Sequence, residues 1–183
     1  MKKRIILILA AVLLLAVAVG TTVAFLVDET PSVTNTFQPV TVTCRVQETF
    51  DAQANTKRDV SVRNTGDISA YIRVALVVTW VSEESGSTYG GAPVAGVDYA
   101  VTLSEDGWVR GSDGFYYCTS AVAAGEATPI LVDVVAPVAG KAPEGYRLSV
   151  QIVASAIQAT PADAVRATWS GVTVNDDGTI TPA

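Results

Sequence analysis

The residue types that carry most enzyme chemistry are scarce in this chain. None of its 183 residues is histidine, which excludes a Ser-His-Asp triad, a Cys-His pair and a His-Glu-x-x-His zinc site. The acidic pairs Glu83–Glu84 and Glu105–Asp106 fall in predicted loops or turns, where they are ordinary surface charges. Lys57 and Lys141 lie outside any nucleophile motif. We predict no catalytic residue, metal ligand or cofactor, although the composition leaves a two-carboxylate glycosidase open.

The two cysteines, Cys44 and Cys118, allow two interpretations. In an exported protein they would form one disulfide across a long loop, which contributes roughly 4 kcal/mol in the chain-entropy model. Alternatively they are free thiols, because Cys44 falls on the inward face of a predicted strand and cysteine packs well as a small hydrophobic residue. The bond requires their Cα atoms to lie within about 7 Å of each other.

The amino terminus has the pattern of an export signal. A basic start, Met1–Arg4, precedes the unbroken apolar run Ile5–Val19. This run is shorter than the roughly 20 residues of a membrane-spanning helix, and Ala24 suits a signal peptidase. We predict cleavage between Ala24 and Phe25. The alternative is an uncleaved anchor, which would be the chain's only contact with a membrane.

The charge balance excludes whole classes of partner. The chain has 12 basic and 18 acidic residues and a net charge of −6. Removal of residues 1–24 takes away Lys2, Lys3 and Arg4 and no acid, so the mature chain has nine basic residues and a charge of −9. Nucleic acids and anionic membranes bind clustered Lys and Arg, so neither is expected as a partner.

Alternating apolar residues predict a β protein. The longest alternating run is Ala70–Trp80, Tyr146–Ile157 is the second, and Val40–Gln47 is an earlier strand. Asn64–Asp67 contains the Asn and Gly that tight reversals favour, so we expect the strands on either side of it to pair antiparallel. Trp108, Phe115, Tyr116 and Tyr117 form an aromatic cluster, which is expected to pack across strands rather than form a binding platform.

The carboxyl-terminal region adds the only predicted helix of the folded domain. Thr160 would cap it, and it would end near Trp169, which would close one end of the domain. Asn175–Thr179 is predicted to be a hairpin turn rather than a calcium loop. The fold prediction is a single antiparallel β-sandwich of about eight to ten strands, with this short helix near the C-terminus. The predicted divisions are a helical signal peptide (1–24), an extended N-terminal segment (25–38) and the β-sandwich domain (39–183).

Several short motifs, in this order, resemble one known family. They are Ala24-Phe25, Asp28, Val33-Thr34-Asn35-Thr36-Phe37, Val62-x-Asn64-Thr65-Gly66-Asp67, Ala70-Tyr71-Ile72-Arg73-Val74, Gly114-Phe115-Tyr116-Tyr117 and Ala156-Ile157-Gln158-Ala159 ahead of Trp169. Together they resemble the TasA/camelysin family, exported proteins of Gram-positive bacteria that are processed by the signal peptidase SipW. The resemblance covers nearly the whole chain. It implies a sandwich of jelly-roll type and cleavage by a SipW-type signal peptidase.

The resemblance also implies a function. We expect a secreted, non-enzymatic structural protein of the cell surface or of a biofilm-type extracellular matrix, which associates with itself or with other matrix proteins. A freed apolar segment with Phe25, Leu26, Val27 and Phe37 could add as a strand to the open sheet edge of a neighbouring copy. The alternatives are a camelysin-like secreted metallopeptidase, which the missing histidines disfavour, and a monomeric adhesin that binds through the 82–97 loop and the aromatic cluster.

Overall fold

The computed structural model describes residues 40–183. The predicted signal helix, the cleavage point at Ala24 and Phe25, and the proposed strand-donor residues Phe25, Leu26, Val27 and Phe37 lie outside the described residues. Within residues 40–183, no helix has the length and apolar character needed to cross a membrane. The elements are β1 (Cys44–Asp51), β2 (Thr56–Asn64), β3 (Ala70–Ser82), β4 (Tyr99–Leu103), β5 (Trp108–Arg110), β6 (Tyr116–Cys118), β7 (Val132–Pro137), β8 (Tyr146–Gln158), α1 (Asp163–Thr168), β9 (Val172–Val174) and β10 (Ile180–Pro182).

The all-β prediction is confirmed, together with the antiparallel pairing and the single short helix near the carboxyl terminus. One four-stranded sheet has the order β1-β2-β7-β4, and a second has the order β5-β6-β3-β8. Strands β9 and β10 form a separate two-stranded ribbon. The two longest predicted strands, β3 and β8, pair along their whole length from Ala70 opposite Gln158 to Ser82 opposite Tyr146.

The inward faces of both four-stranded sheets share one hydrophobic core. Val60 and Val62 of β2 and Val132 of β7 are completely buried, as are Ile72 and Val74 of β3. These residues are the ones that alternation assigns to the inner face, because side chains two positions apart on a strand point the same way. Burial of such a face is the main favourable term in forming the fold.

The prediction that the strands flanking Asn64–Asp67 pair with each other is wrong. β2 pairs with β1 and β7, whereas β3 pairs with β6 and β8, so the segment is a corner between two sheets. Asn64 is completely buried there, and its side-chain nitrogen donates to the carbonyl oxygens of Ile68 and Val122 at 2.8 and 2.9 Å. A buried side-chain amide needs hydrogen-bond acceptors of this kind. These two bonds stabilise the corner, where a hairpin would instead have ladder bonds between its strands.

Two element boundaries differ from those predicted. The first strand begins at Cys44, not Val40, because the carbonyls of Thr41 and Thr43 accept hydrogen bonds from the corner amides of Asp67 and Thr65. The helix begins at Asp163 without a side-chain cap, so Thr160 does not play the predicted role. The terminal hairpin turn is confirmed, since the amide of Asn175 donates to the carbonyl of Thr179 between β9 and β10.

A second hydrophobic cluster covers part of the outer face of the β5-β6-β3-β8 sheet. There Tyr71 and Tyr117 pack against Val165 and Trp169 from the carboxyl-terminal segment. The sequence predicts that Trp169 closes one end of the domain, but its ring lies over the sheet face, 5.3 Å from the Tyr117 ring centre. Residues 159–183 therefore cover part of this outer face. Alternation within single strands does not predict this contact.

A charged group lies inside this cover. The Arg73 guanidinium is 4.2 Å from the centre of the Phe115 ring and 5.0 Å from that of Trp169, distances at which a cation is attracted to an aromatic face. Asp113 lies 3.8 Å from the guanidinium and accepts a 2.7 Å hydrogen bond from the Tyr117 hydroxyl. Burial raises the pKa of Tyr117, and its bond to Asp113 adds to this rise. The cluster ties the carboxyl-terminal cover to β3 and β6.

We expect Gly171→Ala to destabilise the protein by about 1–3 kcal/mol, because a Cβ atom there would lie 2.6 Å from the Asp113 Oδ1 atom. The carboxylate would have to move away from Tyr117. Gly90→Ala is the matched control, since a Cβ atom there meets nothing within 4 Å, and its effect should stay within about 0.5 kcal/mol. Urea unfolding of both variants measures the difference; equal stabilities would contradict the tight packing around Asp113.

Candidate functional site

The most unusual feature of the described structure is a long strand with one unpaired side. β8 has 13 residues and, among residues 40–183, pairs only with β3. In the other large sheet β1 pairs, within the described part of the chain, only with β2, and β1 lies beside β8. Two sheet edges are therefore open on the same side of the domain. Natural proteins usually shorten, charge or cover such edges, because they are templates for another strand.

The direction of the main-chain groups on β8 follows from the bonds that β3 makes on its other side. The amide of Ala70 donates to Val122, and the carbonyl of Trp80 accepts from Tyr89, so even-numbered β3 residues face away from β8. Odd-numbered β3 residues therefore bond to β8, where they stand opposite odd-numbered residues such as Ser149. The even-numbered residues of β8 direct their N–H and C=O groups to its unpaired side. We call this side the open edge.

The side chains of the same even-numbered residues point into the core, and their burial changes along the strand. Leu148 and Val150, in the first half of β8, are buried. Ile152, Ala154 and Ala156, in the second half, are only partly buried although they pack against the core. One neighbouring strand on the open edge would cover all three. The core is therefore incompletely covered where the second half of β8 has no partner strand among residues 40–183.

The facing edge strand shows the same incomplete burial. Cys44 and Val46 of β1 pack against the core and are only partly buried. Ala154 and Ala156 on β8 are likewise only partly buried, so an apolar side chain from an added strand would bury more of both. The open edge thus has both the unpaired main-chain groups and the apolar surface that a strand requires.

By contrast, polar side chains lie beside the open edge along the first half of β8. Asn55, in the turn between β1 and β2, donates its side-chain amide to the Leu148 carbonyl oxygen at 2.8 Å. Lys57 and Glu48 form an ion pair at 2.7 Å beside it. Together with Leu148 and Val150 these side chains line a cavity of about 290 Å³. No sequence pattern indicates this group, because residues far apart in the chain meet here and none belongs to a motif.

Cys44 and Cys118 are not bonded to each other in the structure. Cys44 is partly buried on β1 and Cys118 is buried on β6, and burial raises the pKa of each thiol. A bond between them stays a prediction, which the intact mass measured with and without reductant tests. The raised pKa values make both thiols poor nucleophiles at neutral pH.

A cavity of about 650 Å³ lies beside the β9–β10 turn, and acidic and hydroxyl side chains form part of its lining. The Asp177 carboxylate there accepts bonds from the side chain and amide of Thr179, which lower its pKa. Within residues 40–183, no group of three or more Cys, Asp or Glu side chains is placed to hold a metal ion. The acidic pairs at 83–84 and 105–106 lie in loops between strands.

The predicted aromatic cluster divides between the two faces of its sheet. Trp108 and Tyr116 contribute to the main core, whereas Phe115 and Tyr117 pack in the outer-face cluster. The Trp108 indole nitrogen donates to the Pro129 carbonyl oxygen at 3.1 Å. All four side chains thus pack within the domain, as expected.

No protein-family model, curated protein or solved structure matches this chain.

Proposed function

We propose that this is a secreted, non-enzymatic structural protein of the cell surface or extracellular matrix that assembles by strand addition. In this proposal the amino-terminal segment of one copy pairs with the open edge of β8 in the next copy. The protein would be similar to the TasA/camelysin group, with export through a SipW-type signal peptidase. Its partners would be further copies of itself or other matrix proteins.

The observation that carries the proposal is the incomplete burial of Ile152, Ala154 and Ala156 on an edge strand. An edge strand that is short, charged or covered resists association, but this one is long and has an apolar inner face. Main-chain bonds along the edge would supply affinity, and alternate side chains entering the core would supply specificity. Each copy would then donate one strand and accept another, and such a head-to-tail contact produces a filament when it does not close into a ring.

The proposed donor has the matching chemistry. Phe25, Leu26, Val27 and Phe37 are apolar and lie in a segment of about the length of β8. Aromatic rings placed beside the small side chains of Ala154 and Ala156 would bury apolar surface, and each Å² buried would contribute roughly 25 cal/mol of favourable free energy. The two four-stranded sheets would form a β-sandwich of jelly-roll type, completed by the added strand.

Deletion of Phe25–Thr36 tests the proposal. The chain that begins at Phe25 is expected to form large particles in analytical ultracentrifugation, and the deleted chain is expected to remain monomeric. Replacement of Phe25, Leu26 and Val27 by serine preserves length and should also prevent assembly. In the matched control, Asp28→Asn with Glu29→Gln preserves the apolar residues and should still assemble. Polymerisation of the deleted chain to the same extent would refute strand donation by this segment.

A second candidate function, a monomeric adhesin, is favoured by one observation. Tyr89 and Val94 in the 82–97 loop are 46% and 54% exposed, as an apolar binding surface would be. An adhesin would stay monomeric at high protein concentration and lose surface binding with Tyr89→Ser. The same centrifugation experiment separates the two functions, because an adhesin gives a single small species at every concentration.

A further inference from the structure

We propose that Asn55 determines where the added strand ends on β8, so that pairing covers Val150–Gln158 and stops before Leu148. This inference rests on the proposed function, because it concerns the register of the same strand addition. It assigns a specificity role to a turn residue that belongs to none of the sequence motifs above.

Asn55 forms a hydrogen bond to the open edge of β8. Its side-chain nitrogen lies 2.8 Å from the Leu148 carbonyl oxygen, and Leu148 is an even-numbered residue whose main-chain groups face the open edge. In a β ladder a strand must approach such a residue along both its N–H and its C=O. Asn55 occupies the place of that strand at Leu148. From Val150 onward, no described side chain bonds to the open edge.

Hydrogen bonds within the turn between β1 and β2 fix the position of Asn55. The Asp51 carboxylate accepts hydrogen bonds from the amides of Gln53 and Ala54 at 2.9 and 3.1 Å. Asn55 itself has a φ of 50°, in the left-handed region that Asn adopts more readily than most residues. The side chain is thus held towards β8 by a fixed turn. Displacing it would cost the Leu148 bond and part of the turn.

Two charged side chains, Glu48 and Lys57, lie beside Asn55. A strand that continued past Val150 would cross the cavity lined by Glu48 and Lys57, whose ion pair is 2.7 Å long and partly buried. Covering that pair would remove water from two charges, which is unfavourable unless new partners replace it. An inward charge is also one of the devices by which edge strands resist pairing. Burial follows the same division from Leu148 onward, because Leu148 and Val150 are buried whereas Ile152, Ala154 and Ala156 are only partly buried.

Asn55→Gly tests the inference, with Asp59→Gly as the matched control. Glycine accepts the positive φ of residue 55, and Asp59 has a similar φ of 55° on β2 but makes no bond to β8. Assemblies of the chain from Phe25 onward are compared with their monomers by residue-resolved amide hydrogen exchange. We expect Val150, Ile152, Ala154 and Ala156 to exchange about tenfold more slowly in wild-type assemblies, as one added hydrogen bond allows.

The decisive amide is that of Leu148. Assembly should leave its exchange unchanged in the wild type and in Asp59→Gly, and should slow it about tenfold in Asn55→Gly. Asn55→Asp, which tolerates the same backbone but cannot donate, should behave like Asn55→Gly and serves if the glycine variant does not fold. Equal slowing of Leu148 in the wild type and in Asn55→Gly would overturn the inference and preserve strand addition. Absence of slowing anywhere on β8 would overturn both proposals.

Discussion

Replacing Ala154 by proline is expected to stop assembly while the monomer remains folded. The Ala154 N–H faces the open edge, so the monomer loses no bond to β3 when proline removes it. An incoming strand would lose that donor and meet the proline ring. We expect the initial rate of polymer formation, followed by light scattering, to fall at least about tenfold, because proline removes one ladder bond and adds a steric clash.

Ala154→Ser is the matched control for this experiment, because it retains the amide hydrogen and nearly the same side-chain volume. It should assemble at close to the wild-type rate. Far-ultraviolet circular dichroism of the monomers establishes that the proline variant is folded. A folded Ala154→Pro protein that polymerises like the serine variant would show that β8 is not the acceptor.

Trp169→Ala is expected to have the largest effect on stability, a loss of about 3–5 kcal/mol in the free energy of unfolding. Trp169 is 3% exposed, packs on Tyr117 and lies over the Arg73 guanidinium. Its removal takes away the largest side chain of the carboxyl-terminal cover and leaves a cavity over a charged group. Denaturant unfolding followed by tyrosine fluorescence and circular dichroism measures the loss.

Phe50→Ala provides the comparison for Trp169→Ala, because Phe50 is also aromatic but is 50% exposed. Its loss should be less than half as large, since half of the ring is already in water. If the two substitutions cost the same, the carboxyl-terminal cover would not be held by Trp169. A partial transition confined to the Trp169 variant would instead show that the cover unfolds separately from the sheets.

Alternation within single strands predicted the elements that are longest and most regular. β3 and β8 were expected because Ile72, Val74, Leu148 and Val150 recur at every second position, and both strands are present. The residues of the corner at Asn64 suit a hairpin turn equally well, so the local sequence predicts a hairpin there. The difference depends on a buried amide that bonds to residues distant in the sequence, and local pattern carries no information about them.

The candidate site was only partly predictable. The sequence indicated an apolar segment able to donate a strand, but it did not identify the acceptor. An open edge is a property of sheet order, which depends on all the strands together. The bond from Asn55 to Leu148 joins residues 93 positions apart, and the outer-face cluster likewise joins Arg73 to Trp169. Contacts at such separations arise from the tertiary fold and not from any spacing along the chain.

The most direct test of strand addition uses assemblies grown from an equal mixture of ¹⁵N-labelled and ¹³C-labelled copies. In solid-state NMR, correlations between ¹⁵N and ¹³C then arise only between different molecules. Strand addition predicts correlations that join amides of residues 25–37 to carbons of Ile152, Ala154 and Ala156. Correlations that connect the amino-terminal segment to another surface, and none to β8, would contradict it.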